Sequence, residues 1–93
     1  MAHEDKSTEI SQAVTWRKAG EEAVILNLET SEYYSANETG TFIWELLSAG
    51  KRTGKIAEAL AEEYGITAEQ AAGDIEDFVK DLARLGIVTR GTR

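Results

Sequence analysis

The sequence predicts an α+β domain in which a three-stranded antiparallel β-sheet is followed by three α-helices. The first observation behind this is a run with period two, AVILNLE at 23–29, where Val24, Leu26 and Leu28 share one face and Ile25, Asn27 and Glu29 the other. The second is a set of helical stripes, the longest running from Ala71 through Ile75, Phe78 and Leu82 to Leu85. The third is their order: strands precede helices, without the βαβ alternation that a parallel sheet requires.

Residues 1–12 show no apolar periodicity and are expected to form a flexible N-terminal tail, leaving 13–90 as one domain. The tail carries His3, the only histidine, and a mobile segment holds no partners for a metal or acid–base role there. From Val14 the run VTWRKA is extended, the AGEE turn follows, and AVILNLE returns as the second strand. ETSE at 29–32 reverses the chain, and EYYSA makes the third strand. Alternation puts Tyr34 and Ala36 on one face and Tyr33 and Ser35 on the other, so one tyrosine turns inward, read as Tyr34, and its neighbour outward.

Asn37 stops the strand by capping a helix, with Glu38 near the positive helix end. Phe42, Ile43, Leu46 and Leu47 fall on one face of that helix, with Trp44 at its border, and SAGKR ends the pattern. Thr53 is the cap candidate for a second helix, in which Ile56, Ala57, Leu60, Ala61 and Tyr64 precede a closing Gly65 in the left-handed conformation. Thr67 and Gln70 form a capping-box pattern for the third helix, Gly86 ends it, and Ile87 and Val88 add a short closing extension.

Composition narrows the function classes. The chain of 93 residues is 42% apolar and 29% charged, an ordinary globular balance for one domain with a small core. Absence of cysteine removes disulfides, thiolate zinc sites and a cysteine nucleophile. The polar segment MAHEDKSTEISQ lacks the apolar stretch of a secretory signal, and no run approaches the ~20 apolar residues of a membrane span, so a cytoplasmic protein is expected. Seventeen acidic against ten basic residues give a formal charge of -7, which opposes polyanions and suits a basic or neutral partner.

No catalytic set assembles. Ser31 and Ser35 have no histidine or lysine at a suggestive spacing, and GKRTGK at 50–55 has the letters of a phosphate loop in the wrong order. Asp74, Asp77 and Asp81 fall at spacings of three and four along one side of the third helix. A divalent cation or an acid–base couple would also need a pocket and a second set of ligands, which the sequence does not supply, so a charged face for a basic partner is the better reading. Neither a metal nor a cofactor is called for. A helix-turn-helix can be drawn over 53–85, but AEQAAGD at the start of the third helix offers no lysine or arginine, and Lys51, Arg52 and Lys55 are the only basic cluster. DNA binding therefore ranks low.

Several linked features together resemble the PqqD-like family, the small peptide-recognition domains of ribosomal natural-product biosynthesis: the apolar strand ending in Leu28, Tyr33-Tyr34, Asn37-x-x-Gly40, Ile43-Trp44-x-Leu46-Leu47, and Phe78-Val79-x-x-Leu82 running to Gly86. The match spans about residues 14–88. The resemblance implies a winged-helix-like arrangement without catalytic activity. It implies binding of a precursor's leader peptide as an added strand between the third strand and the third helix, so that a maturation enzyme, such as a radical SAM enzyme or a leader peptidase/cyclase, receives it. Carried over, the peptide-binding residues are Glu32, Tyr33, Tyr34, Ser35 and Ala36 on the strand. On the helix they are Asp74, Asp77, Phe78 and Asp81, chosen over the Ala72, Val79 and Ala83 border because an acidic side complements a basic leader. Glu32 stands where the family often has glycine and Ala36 where it often has leucine, so the hairpin turn and its local core differ. The alternative is a winged-helix regulator that binds DNA or another protein.

Overall fold

Alternating side chains in the first half of the chain and three amphipathic helices in the second assemble as expected, with one addition at the ends. The computed structural model describes residues 8–90, and the segment before Thr8, His3 included, lies outside the described residues. The elements are β1 (Thr8–Ile10), β2 (Val14–Ala19), β3 (Glu22–Asn27), β4 (Glu32–Ala36), α1 (Glu38–Ser48), α2 (Thr53–Tyr64), α3 (Ala68–Arg84) and β5 (Val88–Arg90). A three-stranded antiparallel sheet has the order β2-β3-β4, and β1 pairs with β5 in a separate two-stranded sheet.

That second sheet corrects the expected tail at residues 8–11: Thr8↔Arg90, Glu9↔Thr89 and Ile10↔Val88 are partners, and Ser11 N–H donates to the Ile87 carbonyl at 2.9 Å. Three residues are too few to display a period, and their partner lies some eighty positions away, so local pattern gives no sign of the pairing.

In the main sheet, Val14, Trp16 and Lys18 stand opposite Asn27, Ile25 and Ala23, which stand opposite Glu32, Tyr34 and Ala36. This is the inner face. Ala23, Ile25 and Ala36 are buried in the core, whereas Val24 and Leu28, from the more apolar side of the β3 run, point to solvent. Asn27 joins the buried side because its polar atoms are used: Oδ1 accepts from Glu29 N–H at 2.9 Å, and Nδ2 donates to the Leu85 carbonyl at 3.1 Å, tying the hairpin to the end of α3. Between β3 and β4 the left-handed position falls on Ser31, at φ 66°, so Glu32 is already extended.

The helices cover the inner face. Trp44, expected at a border, is fully buried and meets Trp16 edge to face at 6.0 Å. Asn37 caps α1 by accepting from Gly40 N–H at 2.8 Å, and Thr67 caps α3 by accepting from Gln70 N–H at 3.0 Å. Thr53 does not cap α2: it is the first helical residue, and Arg52 holds the cap position with no capping hydrogen bond from its side chain. Gly65 closes α2 at φ 66°. In α3, Ala71, Ile75, Phe78, Val79 and Leu82 are buried, so Val79 is a core residue and not part of an exposed border.

Candidate functional site

Because β4 pairs with β3 alone, its opposite side has no strand neighbour among the described residues. In an antiparallel ladder alternate residues turn both backbone polar groups away from the partner, so an edge strand presents a row of donors and acceptors. Three of the expected site residues on this strand, Glu32, Tyr33 and Ser35, are exposed, Tyr33 at 66%. Tyr34 is half-buried on the inner side, its ring edge to face with Phe78 of α3 at 5.8 Å. Ala36 differs: it is buried, and its carbonyl accepts from the Thr41 hydroxyl at 3.3 Å, which makes it an anchor of the strand's end.

The side of α3 that looks toward β4 is the acidic one. Tyr34, Asp74, Asp77, Phe78 and Asp81 line one groove of about 340 Å³, with Asn37, Gly40 and Ile43 of the α1 end closing it. Gly40 sits at a close approach: a Cβ there would lie 3.1 Å from Phe78 Cε1 and 3.2 Å from Ala36 Cβ, tighter than ordinary contact. Of the expected residues Tyr34, Asp74, Asp77, Phe78 and Asp81 share this groove, whereas Glu32, Tyr33, Ser35 and Ala36 do not line it; the α1 residues in its lining were not among those expected, although the Asn37-x-x-Gly40 spacing was the available signal.

Electrostatics differ along the groove. Asp81 is engaged with the Arg84 guanidinium, whereas Asp74 and Asp77 are exposed at the rim. Burial, reinforced by the Asp81 carboxylate and opposed by Arg84, pushes the Tyr34 phenol above its ordinary pKa, so its hydroxyl remains a donor well into alkaline pH. Among the described residues no cluster of histidine, cysteine, aspartate or glutamate is arranged to hold a metal ion. The basic residues considered for DNA lie at the start of α2, with Lys55 facing Glu58 at 3.7 Å.

An open strand edge, an acidic helix across a groove and a helical layer behind the sheet define a small winged-helix-like α+β domain. The chain belongs to the PqqD family: the family model described as coenzyme PQQ synthesis protein D (PqqD) matches residues 22–88. No curated protein matches it. Among solved structures, TbiB1 in complex with the TbiA(beta) leader peptide is similar at 34% identity and a TM-score of 0.83, over 86% of this chain and 93% of that one. Lasso peptide synthetase B1 complexed with its leader peptide shares the fold at 23% identity and a TM-score of 0.81, over 89% of this chain and 98% of that one. Nothing in these comparisons supports the DNA-binding alternative. Among the described residues no helix is long and apolar enough to cross a membrane.

Proposed function

We propose that this chain is a non-catalytic leader-peptide recognition domain, acting in the cytoplasm, that presents a ribosomally made precursor to a maturation enzyme. The observation that carries the reading is the unpaired β4 edge facing α3 across a groove. A peptide entering as a fourth strand would satisfy the edge through main-chain hydrogen bonds, each worth about 0.5–1.5 kcal/mol net, while its alternate side chains are read by the groove. Inward residues meet Tyr34, Phe78 and the aspartates, and outward ones lie beside Tyr33 and Ser35. Family membership and the leader-bound state of TbiB1 support this assignment.

Titration of the labelled protein with the leader of a precursor encoded nearby is expected to shift the amide signals of 32–36 and of Asp74 to Asp81. A saturating excess that leaves both segments unmoved would refute the proposal.

A further inference from the structure

The groove beside β4 has unequal ends. Asn27, the partner of Glu32 at the start of β4, donates to the Leu85 carbonyl at the end of α3, while Phe78, about two turns earlier, reaches Tyr34 and Gly40. α3 therefore runs against β4. The end of the groove at Asn37 and Thr39 is lined by Asp74 and Asp77, and the end at Tyr34 by Asp81.

These carboxylates are not equally available. Asp81 is engaged by the Arg84 guanidinium, whereas Asp74 and Asp77 are exposed and make no ion pair with a described residue. Lys80, the residue one turn past Asp77, is exposed and outside the groove lining.

We propose that Asp74 and Asp77 jointly seat one lysine or arginine side chain of the leader, and that the Asp81–Arg84 pair, by leaving the other end without a free carboxylate, lets this seat fix the direction and register of the added strand. The inference rests on the leader-recognition reading.

Main-chain bonding alone does not define a register, because sliding a strand by two residues keeps every side chain on its face and re-forms the ladder. A fourth strand that continues the antiparallel order places the residue opposite Ala36 two positions before the residue opposite Tyr34, with both turned inward. Successive inward side chains lie about 6.7 Å apart, near the ~6 Å that separates Asp77 from Asp81 along the helix axis. A basic side chain opposite Ala36 then meets Asp74 and Asp77, and an apolar one two positions later meets Tyr34 and Phe78. Slipping by two toward Tyr34 brings the cation to a carboxylate already neutralised by Arg84, and reversing the strand exchanges the two environments.

The test uses the synthetic leader of the precursor encoded beside this chain's gene, its lysines and arginines replaced by glutamine one at a time. Calorimetry reads affinity, and cross-strand NOEs to labelled β4 read register. One replacement, two positions before an apolar residue, should weaken binding about three- to tenfold, as expected for two surface carboxylates acting on one cation. Asp74→Asn/Asp77→Asn should weaken the unaltered leader equally and replace one NOE set by several. Combining the two changes should add little, since both remove the same interaction. Arg84→Gln, which frees Asp81 as a second seat, should keep affinity within about twofold yet add NOEs displaced by two residues. All three protein positions are exposed, and should a variant lose its dispersed amide spectrum, the leader replacements on wild-type protein carry the comparison.

A leader whose affinity and NOEs survive every such replacement, or survive Asp74→Asn/Asp77→Asn, overturns the seat and leaves leader recognition standing. Weaker binding with a single unchanged NOE set in the folded aspartate and Arg84 variants overturns the register role. A wild-type domain that binds no leader overturns the seat and the recognition reading together.

Discussion

Adjacent tyrosines on one short strand serve different ends because the pleat sends them to opposite sides of the sheet. Tyr34 joins β4 to α3 through Phe78, while Tyr33 remains 66% exposed. Tyr34→Ala should therefore lower stability by about 2 kcal/mol, less than the loss of a fully buried ring, measured by denaturant titration. Tyr33→Ala should leave the melting curve nearly unchanged and weaken leader binding by about two- to fivefold, as expected for one cross-strand contact of up to ~1 kcal/mol. Asn27 is a second residue whose role its type conceals. Buried, with both side-chain polar atoms in hydrogen bonds, it connects the β3–β4 hairpin to the α3 terminus. Asn27→Ala strands the Glu29 N–H and the Leu85 carbonyl and should cost about 1–3 kcal/mol, visible as a lower denaturation midpoint with an unchanged slope.

At the scale of elements, α3 supplies a buried stripe and an acidic border at once. Asp74 and Asp77 stand exposed at the groove, where a single ion pair is worth about 0.2–1 kcal/mol. Asp77→Asn should thus weaken a basic leader by no more than about fivefold, and added salt should shrink the difference between mutant and wild type. The start of α1 holds an opposing arrangement. Glu38 is favourably placed at the positive helix end, yet the charge of Glu21, and then a hydrogen bond with it, push the Glu38 carboxyl above its ordinary pKa. A group with a raised folded-state pKa contributes stability at acid pH that disappears as pH rises through that value. Glu38→Gln should accordingly raise the melting temperature at pH 7, and the gain should vanish near pH 3, where the carboxyl is protonated in both states, as thermal melts at the two pH values would register.

These cases also show what could be read from the chain. Capping signals at Asn37 and Thr67, the αL stop at Gly65 and the α3 stripe are local, and each element formed where its residues indicated. The acidic border emerged from spacing, was chosen over the other border for its charge, and shares a groove with Tyr34. Which side of β3 turns inward was not legible from hydropathy, because Val24 and Leu28 are the more apolar set, while Asn27 is admitted to the core by bonds to distant backbone. Trp44 was placed at a border because its burial is set by packing with other elements, Trp16 of β2 among them. The β1–β5 pairing escaped for the same reason at longer range.

For the molecule as a whole, that pairing ties together the two ends of the described segment. Ile10 packs against the core from β1, and Val88 is buried on β5. Removing residues 1–10 should lower stability by about 2 kcal/mol through lost apolar burial and an exposed β5 edge, and hydrogen exchange should report the loosening first at Val88 and Thr89. There is a further consequence for how the domain can be carried. With Thr8 beside Arg90, entry and exit of the folded unit are neighbours, so a host polypeptide can accommodate the whole recognition module within one surface loop, and a linker of a few residues would join the two ends into a circle.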